Sequence, residues 1–121
     1  MKGHVDELGR ALIRFRLLQK EASESIMLDG WIDTAFNGEL VVPKSMIQSA
    51  SLQQTSGCLA RLADGKSVTL PIFECEIDWM GTRQRVEIIA NDGELPLIGV
   101  GLLVGCRLTI DYRNGDVELT R

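Results

Sequence analysis

One short stretch gathers the groups best suited to acid–base chemistry. Gly30-Trp31-Ile32-Asp33-Thr34-Ala35-Phe36-Asn37-Gly38 runs from apolar residues into a carboxylate, a hydroxyl and a very small residue. If Trp31 and Ile32 end a buried strand, Asp33 stands at the rim of the core. A carboxylate there needs hydrogen-bond donors, because burying an unpaired charge is expensive. The Thr34 hydroxyl and the Ala35 N–H are the nearest candidates.

Two further segments follow in order. Arg61-Leu62-Ala63-Asp64-Gly65-Lys66-Ser67-Val68 has the make-up of a hairpin tip, and Leu97-Ile98-Gly99 is an apolar-apolar-Gly triplet before a short helical run. Acidic motif, hairpin tip and apolar triplet, in this order, resemble the single-lobe, retropepsin-like aspartic proteases. The likeness is greatest to their small bacterial members and runs from about Gly9 to near the C-terminus. Asp33-Thr34-Ala35 corresponds to that family's Asp-Thr-Gly, with Ala35 in the Gly position.

The resemblance implies a closed, acid-protease-like β-barrel, all-β and mainly antiparallel, with one or two short helices. It implies peptide-bond hydrolysis by a water held between two carboxylates, one a general base and the other a donor to the scissile carbonyl. Asp33, Thr34 and Ala35 would form the catalytic motif: Thr34 would grip the opposite chain, and Ala35 would give its N–H to Asp33. Phe36, Asn37 and Ile98 would line the cleft, with Leu97-Ile98-Gly99 packed behind the Asp33 loop. Ala63, Asp64 and Gly65 would be a flap tip that closes over peptide and excludes water.

The chain holds one such motif. Asp6, Asp29, Asp64, Asp78, Asp92, Asp111 and Asp116 all lack the Thr-small sequel. A pair of carboxylates therefore needs a second Asp33, and the economical source is a second copy across a two-fold axis. The expectation is a homodimer acting on a peptide or protein substrate. Ala35 opens an alternative: a catalytically inactive dimer of the same fold that binds peptides or partners. At a left-handed backbone its Cβ would cost about 1–2 kcal/mol, and at an ordinary one very little.

Composition narrows the class. The 121 residues suit a single domain, 1–121, and are 45% hydrophobic and 25% charged. The net charge of −4 argues against nucleic acid, which wants a basic face. No apolar run approaches the roughly 20 residues that span a bilayer, and the first residues do not form a signal-peptide core. The expectation is a cytoplasmic protein without membrane contact. Cys58, Cys75 and Cys106 are far apart, no Cys-x-x-Cys occurs and His4 is the only histidine. No metal or other cofactor is expected, and buried free thiols are. Ser45, Ser49 and Ser51 have no base placed to activate them.

Pattern gives the elements. Gly3 to Val5 opens a strand and Asp6 to Gly9 turns. From Ala11, Ile13, Phe15 and Leu17 face one way and Leu12, Arg14, Arg16 and Leu18 the other. Gln19 to Ser25 reads as loop, and Ser25 to Asp33 as strand. Pro43 suits the first turn of a helix over Lys44 to Ala50, with loop from Ser49 to Gly57. Cys58 to Leu62 and Ser67 to Ile72 flank Asp64-Gly65 as a hairpin. Phe73, Cys75, Ile77 and Trp79 alternate with acids, Met80-Gly81-Thr82 turns, and Arg85 to Ala90 returns. Val100 to Gly105 is one or two helical turns. Arg107 to Tyr112 and Val117 to Thr120 flank Asn114-Gly115, a preferred centre for a type I′ turn. Trp31 and Trp79 are expected in core or interface. Eight or so short strands predict a compact, mostly antiparallel barrel or sandwich.

Overall fold

The computed structural model describes residues 1–18, 25–50, 52–61 and 63–121. The chain runs β1 (Lys2–Val5), β2 (Ala11–Leu18), β3 (Ser25–Ile32), β4 (Leu40–Pro43), α1 (Lys44–Ala50), β5 (Gln53–Arg61) and β6 (Ser67–Trp79). It continues β7 (Thr82–Asn91), β8 (Leu97–Ile98), α2 (Val100–Leu103), β9 (Arg107–Asp111) and β10 (Asp116–Thr120). The fold is mostly strand with two short helices. The loop read over 19–24 and the strand end at Leu62 lie outside the described residues.

Alternation builds the long strands. In β2, Ile13, Phe15 and Leu17 are buried while Arg14 and Arg16 are exposed. In β6, Cys75, Ile77 and Trp79 turn inward, and in β7 Val86, Ile88 and Ala90 do. Trp79 is buried and meets Phe15 edge-to-face, with ring centroids 6.4 Å apart at 70°. This edge-to-face geometry is one that aromatic quadrupoles favour. Cys75 is a buried free thiol, and loss of water around it pushes its pKa up to about 12. It is a small apolar side chain here, not a nucleophile.

The strands form one sheet in the order β5-β6-β7-β4-β8-β3-β2-β1-β10-β9, and β2 also pairs with β6. Most pairings are antiparallel, but β3 with β8 and β4 with β7 are parallel. Leu40, Val41, Val42 and Pro43 are all buried. A strand covered on both faces shows no alternation, and β4 was accordingly not foreseen.

Other expectations are corrected. β5 begins at Gln53, inside the stretch read as loop, because its partner β6 carries the ladder on (Gln53 opposite Glu74). β6 is one strand and not two. Pro71 interrupts the alternation, but it lies before the β6–β7 ladder begins at Ile72, where a missing N–H costs nothing on that side. Pro43 ends β4, and α1 opens one residue later. Leu12, expected on the solvated face, is buried between its cross-strand partners His4 and Trp31. Cys106 is half-buried with its thiol 3.8 Å from the Met80 sulfur, and Trp31 is 40% exposed. Asn114-Gly115 is not type I′, since only Gly115 has positive φ. Asp111 wins there: its carboxylate accepts the N–H groups of Arg113 and Asn114 and the Asn114 amide. Positive φ at both central residues occurs at Met80-Gly81, between Trp79 and Thr82.

Arg14 and Asp29 face each other across β2 and β3 and form a fork, Nε–Oδ1 2.9 Å and Nη2–Oδ2 3.3 Å. The guanidinium holds the Asp29 carboxyl below its ordinary value of 3.8. A depressed folded-state pKa stabilises the fold above the unfolded pKa and stops doing so as pH falls through the folded one. The Asp29→Asn protein should therefore be less stable than wild type near neutrality, by about 0.2–1 kcal/mol for so exposed a pair. The gap should close as pH falls below 3.8, as denaturant melts at stepped pH would record.

Candidate functional site

β8 is only two residues long, yet it organises the site. It lies between β3 and β4, parallel to the first (Ile32 opposite Ile98) and antiparallel to the second (Leu40 opposite Ile98). The chain leaves β3 at Ile32 and re-enters at Leu40 on the other side of β8. Residues 33–39 must therefore arch over the end of β8, where Gly99 lies.

Four backbone bonds fix that arch. Asp33 N–H donates to Ile98 O at 2.9 Å and Gly99 N–H to Glu39 O at 2.9 Å. Val100 N–H donates to Phe36 O at 2.8 Å and Gly101 N–H to Gly38 O at 2.9 Å. Glycine is required at the contact. A Cβ on Gly99 would collide with the Gly38 carbonyl oxygen and stand 2.5 Å from Phe36 Cδ2. A Cβ on Gly101 would come within 2.9 Å of Glu39 Cγ, and one on Gly38 would strike the Phe36 ring. Gly38 and Gly101 were not singled out in the sequence. The Gly99-x-Gly101 spacing was the available signal.

Asp33 is half-buried at the head of the arch, and its Oδ1 accepts the Ala35 N–H at 3.0 Å. Phe36 N–H closes the turn on Asp33 O at 3.2 Å. Thr34, Ala35 and Asn37 are exposed and Phe36 is half-buried. Ala35 lies outside the left-handed region, so its methyl adds no backbone strain. Ala35→Gly should accordingly lower stability by only about 0.4–1 kcal/mol, through unfolded-state entropy. Matched denaturant melts would check this.

The structure thus gathers Asp33, Thr34, Ala35, Phe36 and Asn37 on one loop over Ile98. Ile98 was expected to line a cleft. Instead it is fully buried, and its side chain fills the space that a Cβ on Gly30 would need. It offers no surface to a ligand and serves as the floor under the arch. Ala63, Asp64 and Gly65 form the exposed tip of the β5–β6 hairpin. Gly65 has φ +85°, and Asp64 Oδ1 accepts the Lys66 N–H at 3.0 Å. The hairpin is joined to the Asp33 loop through the β6–β7–β4 ladder.

A neighbouring cluster went unforeseen. The Arg10 guanidinium lies over the Trp31 ring, 5.7 Å from its centroid, and its Nε donates to Asp6 Oδ2 at 2.6 Å. Asp6 Oδ1 also accepts the N–H groups of Leu8 and Arg10. The ring is thereby fixed beside β8, where Trp31 N–H donates to Pro96 O at 2.8 Å. An acid and a base four apart across a turn were the visible hint.

Among the described residues no three His, Cys, Asp or Glu side chains gather as a metal site, and no helix is long and apolar enough to cross a membrane.

The fold these residues build is that of the retropepsin-like aspartic proteases. The chain is similar over its whole length to a retropepsin-like aspartic protease from Rickettsia conorii, with a TM-score of 0.67 at 12% identity and 92% of that chain covered. It is similar to EIAV protease, solved with an inhibitor, over 84% of this chain and 93% of that one, with a TM-score of 0.60 at 15% identity. It also resembles 11% of a foamy viral protease-reverse transcriptase solved with an RNA/DNA hybrid, covering 73% of this chain at 11% identity and a TM-score of 0.51. No protein-family model matches the chain, and no curated protein sequence does.

Proposed function

We propose that this chain is an aspartic endopeptidase that works as a homodimer, hydrolysing peptide bonds with a water held between two Asp33 carboxylates, one per chain. The observation that carries the reading is the clamped arch: a half-buried Asp33, flanked by exposed Thr34 and Ala35, fixed over Ile98 by backbone bonds. In this reading the chain is one domain, its ring of strands closes as a barrel, and it acts on peptide or protein in the cytoplasm without a metal.

The chemistry follows from electrostatics. Two carboxylates about 3 Å apart repel by roughly 5 kcal/mol at an effective dielectric of about 20. One therefore stays protonated and donates to the scissile carbonyl, while its ionised mate takes a proton from the water. The Ala35 N–H, already on Asp33 Oδ1, helps to hold the carboxylate in orientation. Thr34 is free to meet the second chain, and Phe36 and Asn37 to contact substrate. Ala63, Asp64 and Gly65 form the tip that closes over it. Ile98 acts only by support.

Ala35 favours a second reading, a silent dimer of the same fold that binds peptide. Its methyl stands at the exposed top of the arch, where two loops must approach, and about 1 Å of displacement costs roughly a hundredfold in rate. Cleavage of a fluorogenic peptide library between pH 4 and 6 separates the two. Asp33-dependent turnover supports the endopeptidase. Peptide binding unchanged in Asp33→Asn, with no turnover in either protein, supports the silent module.

A further inference from the structure

The chain has three asparagines, and two of them, Asn37 and Asn114, precede glycine. An Asn-Gly pair carries its own chemistry. The backbone nitrogen of the glycine, once it sheds its proton, attacks the side-chain carbonyl of the asparagine, and no Cβ hinders the approach. The new C–N bond closes a five-membered succinimide, and ammonia leaves. Water then opens the ring at either carbonyl. One opening gives aspartate. The other gives isoaspartate, in which the main chain runs through the former side chain. The sum is asparagine plus water to a carboxylic acid plus ammonia, with no oxidant or reductant needed.

The two pairs are held differently. At the second, Gly115 N–H donates to Asp111 O at 2.8 Å and the Asn114 amide donates to Asp111 Oδ2 at 3.0 Å. The attacking and the attacked groups are both engaged. Asn37 is exposed, and its side chain has no hydrogen-bond partner among the described residues. From Asp33 to Glu39 each peptide group puts its N–H or its C=O into a hydrogen bond, with one exception among the described residues: Asn37–Gly38. That group is free to swing its nitrogen toward the side chain. Packing explains the glycine, since a Cβ on Gly38 would strike the Phe36 ring. The arch thus demands the residue that leaves Asn37 labile.

We infer that Asn37–Gly38 is a self-modifying site: Asn37 deamidates selectively, and the isoaspartate it yields releases the arch from α2. Phe36 O and Gly38 O, on either side of Asn37, accept the N–H groups of the consecutive residues Val100 and Gly101 at 2.8 and 2.9 Å. An ordinary backbone sets that spacing. With one methylene added between the two carbonyls, both bonds cannot persist. The aspartate product keeps the spacing and adds a negative charge to the loop that carries Asp33. The inference gives the site of the proposed function a limited lifetime, but it rests on the arch and not on peptidase chemistry.

Wild-type protein is aged in mildly basic buffer and digested with trypsin beside an unaged sample. Residues 21–44 leave as one peptide whose only side-chain amide is Asn37, and residues 114–121 as another that holds Asn114. In folded protein the first should gain one dalton at least tenfold faster than the second, and in denaturant the two rates should converge. Electron-transfer fragmentation tells isoaspartate from aspartate. Hydrogen exchange at Val100 and Gly101 should rise in the isoaspartate fraction. It should not rise in equally aged Asn37→Gln, whose longer side chain closes no five-membered ring. Equal rates at both asparagines in folded protein, an Asn37 that stays intact, or unchanged exchange at Val100 and Gly101 would each overturn the inference. Selective deamidation in a protein that cleaves no peptide would leave it standing and remove the proteolytic reading. Asp33-dependent cleavage by a protein whose aged Asn37 stays intact would do the reverse.

Discussion

Asp33→Asn protein should fold and yet lose peptide cleavage by about 10³–10⁴-fold, since it removes the general base and its partner acid together. In a dimer one substitution changes both halves of the pair, which is why the loss exceeds that for a single assisting group. Asn retains an oxygen where Asp33 Oδ1 accepts the Ala35 N–H. The arch should therefore survive, and melting should match wild type to within about 0.5 kcal/mol. Wild type and variant are to be compared on the same fluorogenic peptides at several pH values. Mixing the two chains adds a stoichiometric test: hybrid dimers hold a single Asp33, so activity should fall with the square of the wild-type fraction. Equal turnover by both homodimers would end the proteolytic assignment, and a linear fall would end the shared site.

The second large effect is expected at Gly99. Ala there must push the Gly38 carbonyl and the Phe36 ring, and backbone on both sides is tied down by the Glu39, Phe36 and Gly38 bonds. Over-packing against immovable backbone costs at the high end, about 3 kcal/mol. For a chain of this size that lowers Tm by roughly 10–15 °C. Gly65→Ala is the control. Nothing lies within 4 Å of its added Cβ, so only the left-handed φ counts, at about 1–2 kcal/mol. Differential scanning calorimetry gives both values. A Gly99→Ala protein as stable as Gly65→Ala would show that the arch yields, and that β8 does not dictate the loop. Cleavage by folded Gly99→Ala should also fall, because the same push displaces Asp33 from Ile98 O.

Half-buried strands declared themselves through alternation: β2, the second half of β6, and β7 were legible because one face is wet. β4 was not, since Leu40, Val41 and Val42 are dry on both sides and carry no period. β8 is too short for any local signal. It is a strand only because β3 and β4 hold it on either side. The same division runs through the site. Asp33-Thr34-Ala35 and Leu97-Ile98-Gly99 stood out by residue type. The inward turn of Ile98 and the contacts of Gly38 and Gly101 depend on packing between segments far apart in the chain. The Asn114-Gly115 turn type failed for a local reason, because the Asp111 side chain competes for the same amides.

β8 also bears on how the molecule comes into being. β3 and β4 are neighbours in the chain but never partners, because a strand synthesised much later has to slot between them. On the ribosome both must wait with bare edges until Leu97 and Ile98 emerge. The Asp33 loop can take shape only at that late, slow, long-range closure. A nascent chain stalled before that point would be sticky and without its arch, so any hydrolytic capacity would arise only once most of the molecule had already been made.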